Sequence, residues 1–192
     1  TWFTLHHQHA VIQAIRLSTA FFGKGQFIPD EISKTSRGYR LTQKLEGPYF
    51  QPYPKDSLPG DGDWEKMPRD KRPKSEIQFL NYSVDLYFED QNWNIEIDID
   101  GTEDVPVAVE LSFRAGGKLS NVEKTDESAD VYLLSDGQAT YTHQGSSIQF
   151  GPGKNEHRWT QLRGADPRIP GMSVYLTGYT PFKHVLQIKV IN

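Results

Sequence analysis

Residues 76–101 read EIQFLNYSVDLYFEDQNWNIEIDIDG, and the alternation within them decides the fold class. Leu80, Tyr82, Val84, Leu86 and Phe88 share one face of an extended chain, and Asn81, Ser83, Asp85 and Tyr87 share the other. After the turn Glu89-Asp90-Gln91-Asn92, Ile95, Ile97 and Ile99 repeat the pattern against Glu96, Asp98 and Asp100. Side chains on a strand alternate with a period of two, so each run offers one face to a core and one to water.

The same signal continues toward the C-terminus. Val107, Val109, Leu111 and Phe113 alternate with Ala108, Glu110, Ser112 and Arg114. Residues 131–134 are apolar on both faces and read as a central strand. Asp136-Gly137 is a hairpin-type turn, and residues 139–143 and 147–150 follow as a strand pair. Residues 156–162, 172–179 and 184–191 complete the set. Roughly nine or ten strands with short turns and no helix between them point to an antiparallel β-sandwich, jelly-roll-like in character. Its expected core is Ile95, Ile97, Ile99, Val107, Val109, Leu111, Phe113, Ile148, Phe150, Leu186, Ile188 and Val190.

Toward the N-terminus the pattern changes. Leu5, Val11, Ile12, Ile15 and Phe22 recur at helical spacing, Thr4 is placed to cap and Gly23 to stop. Residues 5–22 are therefore expected to form an α-helix, with short strands at 26–29 and 37–45. Residues 46–75 are dense in proline and glycine, which remove ladder donors and loosen the backbone. The chain thus divides into 1–45, a Pro/Gly-rich ordered loop or linker at 46–75, and the sandwich at 76–192, together one compact unit. Tyr49, Phe50, Tyr53 and Trp64 are costly to leave in water, so this loop is expected to lie over the body.

Composition bounds the function. The 192 residues carry a net charge of −4, which offers no positive field to a nucleic acid. No apolar stretch reaches the length of a membrane span. Without cysteine, neither disulfide nor thiolate chemistry is available. The chain begins at Thr1 rather than Met, and an extracytoplasmic or secreted setting within a larger protein is expected. Thr1 as an N-terminal nucleophile is the least favoured of the chemical readings.

The segment 151–170, GPGKNEHRWTQLRGADPRIP, holds the candidate ligand site. If it is extended, His157, Trp159, Gln161 and Arg163 line one face. An indole stacks on the apolar face of a sugar ring, while amide and guanidinium groups donate to hydroxyls or a carboxylate. The structural competitor buries Trp159 against Tyr175 or Phe182 and pairs Arg163 with Asp166. For metal, Asp98, Asp100 and Glu103 form an oxygen-rich run with a weak Ca²⁺ character, and His6 and His9 would share a helix face. No resident cofactor is expected. Three functions compete: a glycan-binding accessory or C-terminal module of a polysaccharide-processing protein; a glycoside hydrolase or lyase fragment drawing on Asp98, Asp100, Glu110, His157 and Arg163; and a structural domain packed on a neighbouring domain or a twin chain.

Overall fold

The computed structural model describes residues 2–125 and 130–191, apart from the side chains of Trp64 and Arg69; Thr1 lies outside what is described. The chain is mostly β, 56% strand against 4% helical, in two antiparallel-dominated sheets. The strands are β1 (Leu5–His7), β2 (Ala10–Thr19), β3 (Glu31–Lys34), β4 (Gly38–Phe50), β5 (Lys74–Glu89), β6 (Asn92–Gly101) and β7 (Pro106–Phe113). They continue as β8 (Lys118–Ser120), β9 (Glu123–Lys124), β10 (Val131–Leu133), β11 (Ala139–His143), β12 (Ser146–Gly151), β13 (Met172–Tyr179) and β14 (Phe182–Ile191). The six-stranded sheet runs β1-β2-β7-β13-β10-β9, and the eight-stranded sheet runs β3-β4-β5-β6-β14-β12-β11-β8. One pair, β10 with β13, is parallel.

The inner faces of the two sheets share one core. Ile12, Ile15 and Leu17 of β2 and Val107, Val109, Leu111 and Phe113 of β7 meet Val84, Ile95, Ile97, Ile99, Leu186 and Ile188 of the wider sheet. Phe113 stacks on Tyr141 with ring centroids 4.7 Å apart. Every residue expected in the core is buried except Val190, which lies near the end of β14 and is 36% exposed.

Five expectations need correction. Residues 26–29 form no strand and keep a single bridge, Gln26 opposite Ser18. Residues 5–22 are not a helix: β1 and β2 form a hairpin with His6 opposite Val11, and Gln8 takes a positive φ of 52° in its turn. The helical spacing of the apolar residues arises because β2 is buried on both faces, so nearly every position is small or apolar and a period-two signal is erased. Residues 156–162 are irregular rather than a strand. Residues 46–50 and 74–75 continue β4 and β5, so regular strand enters the Pro/Gly-rich segment from both sides. The remaining loop keeps its described contacts close to its own base: Gln51 Nε2 donates to Ser75 Oγ at 2.6 Å and Arg72 Nε to Gln51 O at 2.6 Å. Strands from residues 1–45 enter both sheets, β2 beside β7 and β4 beside β5.

Candidate functional site

The six-stranded sheet is covered on both faces, and the second cover is the segment that carries the candidate site. Its outer face presents small or polar residues: Ala14, Arg16 and Ser18 on β2, Ala108, Glu110 and Ser112 on β7, and Ser173, Tyr175 and Thr177 on β13. The connection from β12 to β13, residues 152–171, crosses this face as a strap. Lys154 N donates to Leu134 O at 3.0 Å, and Thr177 N donates to Lys154 O at 2.8 Å. Leu162 is 5% exposed and joins Ala108, Val131, Leu133 and Tyr175 in a second apolar cluster. At the far end Gly164, with φ of 86°, rests on the loop after β2; a Cβ there would lie 2.4 Å from Gly23 O.

A buried ion pair ties the strap down. Arg16 and Glu110 are both under 9% exposed and stand opposite one another on β2 and β7. Arg16 Nε and Nη2 both donate to Glu110 Oε2, and Nη1 donates to Pro167 O of the strap at 2.8 Å. The other carboxylate oxygen accepts from Ser112 Oγ at 3.1 Å and Ser173 Oγ at 2.8 Å. Burial, with the Glu110 charge added, pushes the neighbouring Tyr175 phenol far above its usual range. Glu110 is thus held by partners on three strands, in a structural role.

Trp159 stands on this strap with its indole 57% exposed. One face of its ring meets His157, with ring centroids 5.1 Å apart and an interplanar angle of 32°. His157 is buried and packs edge-on against Tyr179 at 5.1 Å. Its Nε2 lies 3.1 Å from both Val107 O and Gly178 O. Two carbonyl partners require Nε2 to carry the hydrogen, which assigns the tautomer. Nδ1 is buried without a hydrogen-bond partner. Burial is the main cause that holds the His157 pKa below the ordinary histidine value. The imidazole therefore acts as a neutral shim beneath the indole and does not line a ligand face.

The four residues expected on one strand face are therefore separated into layers. Trp159, Gln161 and Arg163 are exposed, while His157 lies beneath. Gln161 Nε2 is used within the strap, donating to Asp166 O at 3.0 Å. Arg163 forms no ion pair with Asp166, and Trp159 makes its ring contact with His157 rather than with Tyr175 or Phe182.

The other candidates fall on the outer face of the eight-stranded sheet or at its edge. Asp98 pairs with Lys183 at 2.9 Å, Asp100 accepts from Asn81 Nδ2 at 2.9 Å, and Glu103 is exposed in the turn after β6. Asp98 joins Arg40, Ser83, Asp85 and Glu96 along a polar groove of about 470 Å³ that runs on into a second of about 300 Å³, which Asp100 lines; Glu103 lines neither. Arg40 grips Asp85 with two donors at 2.8 and 2.7 Å. His6 and His7 lie on β1 and His9 in its turn, where the carbonyl of His9 meets His143 Nδ1 at 3.0 Å. Among the described residues no three His, Asp or Glu side chains converge as metal ligands.

A feature outside the sequence reading is an apolar ledge. The eight-stranded sheet overhangs the six-stranded one, and two adjoining grooves of about 410 and 520 Å³ open there, sharing Trp2, Tyr39 and Leu86. Phe88 and Trp93 meet in it with ring centroids 5.3 Å apart and planes tilted by 60°, and they remain 57% and 37% exposed. Alternation correctly puts Phe88 on the core face of β5; how far the opposing sheet extends is not written in that local pattern. Among the described residues no helix is long and apolar enough to cross a membrane. No protein-family model, curated protein or solved structure matches the chain.

Proposed function

We propose that this chain is a jelly-roll-like, non-catalytic carbohydrate-binding domain, an accessory or C-terminal module of a larger polysaccharide-processing protein that works outside the cytoplasm. The observation that carries the reading is the Trp159 platform: an indole more than half exposed, yet fixed from below by a buried neutral histidine. An exposed aromatic ring already locked in place loses little freedom when a sugar ring stacks on it. Arg163 and the free carbonyl oxygen of the Gln161 side chain stand on the same strap and offer partners to a carboxylate and to hydroxyls. Binding is favoured over hydrolysis because Asp98, Asp100 and Glu110 are each engaged by a cation or an amide. A hydrolase needs one carboxyl group held protonated and another free to act on substrate or water.

The test is a glycan array on the parent domain, followed by titration of any ligand found against Trp159→Ala and Arg163→Ala. Both variants are expected to lose binding with the melting temperature nearly unchanged. A Trp159→Ala variant that is strongly destabilised, with a parent that binds no glycan, overturns the proposal.

A further inference from the structure

The exposed ring of the strap rests on a group that can take up a proton. His157 touches two aromatic rings, Trp159 in a tilted stack and Tyr179 edge-on, each with its centroid 5.1 Å away. The two imidazole nitrogens stand in unequal surroundings. Nε2–H is shared between Val107 O and Gly178 O, 3.1 Å from each, whereas Nδ1 is buried with no partner among the described residues. A neutral Nδ1 without a donor is one hydrogen bond forgone. A protonated Nδ1 without an acceptor is a buried charge with an unmet donor, which costs more.

The groups packed around the ring decide how acid acts on it. From the strap, Glu156 favours the imidazolium, but its carboxylate is already divided between Lys154 Nζ at 2.7 Å and Tyr179 N at 3.0 Å. Lys154 chiefly holds the Glu156 pKa below the usual carboxylate range, so Glu156 stays ionised while His157 titrates. Arg158, next along the chain, pairs with Glu123 at 2.8 Å. Strand β7 presents the Val107 carbonyl. Strand β13 presents the Gly178 carbonyl, the Tyr179 ring and Thr177, whose hydroxyl accepts from His157 N at 3.3 Å. The carbonyls, the carboxylate and the indole face favour a cation. Burial opposes it and prevails, so the ring stays neutral to below the ordinary histidine value.

We propose that His157 is a proton gate on the Trp159 platform: protonation turns the imidazole out toward water, the indole loses its seat, and a sugar stacked there is released in mild acid. The inference rests on the glycan reading of Trp159 and makes His157 a positioning residue for it. Proton and ligand then compete. Linkage between two binding events is reciprocal, so a bound sugar holds His157 neutral to lower pH. Release is reversible, because neutral pH restores the seat with no covalent change. His184, whose Nε2–H donates to Pro152 O at 2.9 Å where the strap begins, also has its pKa lowered by burial, so the test separates the two histidines.

The experiment is a nuclear magnetic resonance titration of the whole domain, with nitrogen-15 in histidine and tryptophan, from about pH 7.5 to about pH 5. The His157 ring and the Trp159 indole N–H are expected to shift together, with one midpoint below the ordinary value of about 6.5. The ring-to-ring contact should vanish over the same range. His157→Gln, whose amide can still donate to a carbonyl, abolishes the indole shift, and His184→Gln leaves it in place. Isothermal titration with neutral hexasaccharides and with hexasaccharides of uronic acids is then run at both ends of the range. Parent affinity is expected to fall at least about tenfold in acid, while His157→Gln binds equally at both ends. An indole that keeps its contact with a protonated His157 overturns the gate, and so does a parent that binds equally well at both ends; the glycan reading survives either result. A parent whose rings titrate together but which binds no hexasaccharide overturns the glycan reading, and ligand release with it, and leaves the ring movement standing.

Discussion

Two irregular segments rich in proline, glycine and charge are alike in composition and opposite in structure. The strap at 152–171 crosses the six-stranded sheet and buries His157, Thr160 and Leu162. The loop between β4 and β5 has Tyr53 half-buried but most of its other described side chains exposed, and its described bonds return to its own base. The difference lies in what each segment meets. The strap finds a sheet face of alanine, serine and threonine, small enough for a backbone to approach, with a guanidinium ready to bind its carbonyl. The β4–β5 loop extends from a hairpin whose strands outrun the rest of the sheet. Order in an irregular segment is thus set by the surface beneath it more than by its own residues.

The strongest way to break this comparison is to remove the seat. Glu110→Ala leaves the Arg16 guanidinium buried without its carboxylate, and breaking a buried pair from one side costs about 3–5 kcal/mol. Urea denaturation is the measurement, and a loss below about 1 kcal/mol would show the pair to be as weak as a surface one. Replacing both partners, Arg16→Met with Glu110→Leu, should recover most of the loss, because no orphaned charge remains.

Leu162→Ala probes the apolar half of the same seat. Removing a buried leucine costs about 2–4 kcal/mol, and the cavity sits among Val131, Leu133 and Tyr175. The local consequence is as informative as the global one. Trypsin should cut the parent first in the β4–β5 loop, at Lys55, Lys66 or Lys71, and cut the Leu162→Ala variant also at Arg158 or Arg163 in the loosened strap.

The sequence made the wide sheet legible and left the narrow one hidden, for a physical reason. Strands β5 and β6 have one wet face, so Asn81, Ser83 and Asp98 alternate with Val84, Ile97 and Ile99 and the period is plain. Strand β2 is buried on both faces by the core and by the strap, and its run of Ala, Val, Ile and Leu lacks that period and mimics a helix. The strap was the other side of the same error. A strand at 156–162 is the natural expectation because alternation is easily found in seven residues, whereas the true positions of His157 and Leu162 follow anchors on β7, β10 and β13, far away in sequence. That Trp159 and His157 belong to one segment was legible; which of the two rings is exposed and which is its buried support was not, since burial of a ring leaves no mark in the local sequence.

Acid should sharpen the comparison by loosening the strap before the loop matters. Burial lowers the folded-state pKa of His157 and also of His184, which donates from Nε2 to Pro152 O at 2.9 Å. A base with a lowered folded pKa takes up protons in the unfolded chain first. Stability is then fully present above the unfolded value of about 6.5 and falls as pH drops below it. The melting temperature should decline between neutral pH and mildly acidic pH, and His157→Gln should flatten part of that decline. Tryptophan fluorescence from the exposed Trp159 ring should shift in the same window; a parent whose stability is constant there would show that neither histidine is buried in solution.

The smallest effect is expected where the β4–β5 loop is cut away. Replacing residues 54–70 with a short Gly/Ser turn keeps Gln51, Arg72 and Ser75, which hold the base of the loop together. It removes Lys66 with Asp61 and Asp63, an ion-pair cluster with all three side chains more than two-fifths exposed, worth little to stability. Shortening the connection also lowers its closure entropy, by about 0.6 kcal/mol for each halving of length. These terms nearly cancel, and the variant should match the parent within about 1 kcal/mol. The same excision in the strap, residues 156–168 replaced by glycine and serine, would strip Leu162 from its cluster and Pro167 from Arg16, and should leave no cooperative unfolding transition at ambient temperature. If the loop deletion instead costs several kcal/mol, the loop packs on the body after all, and composition rather than the surface beneath would be the better guide to which irregular segments are fixed.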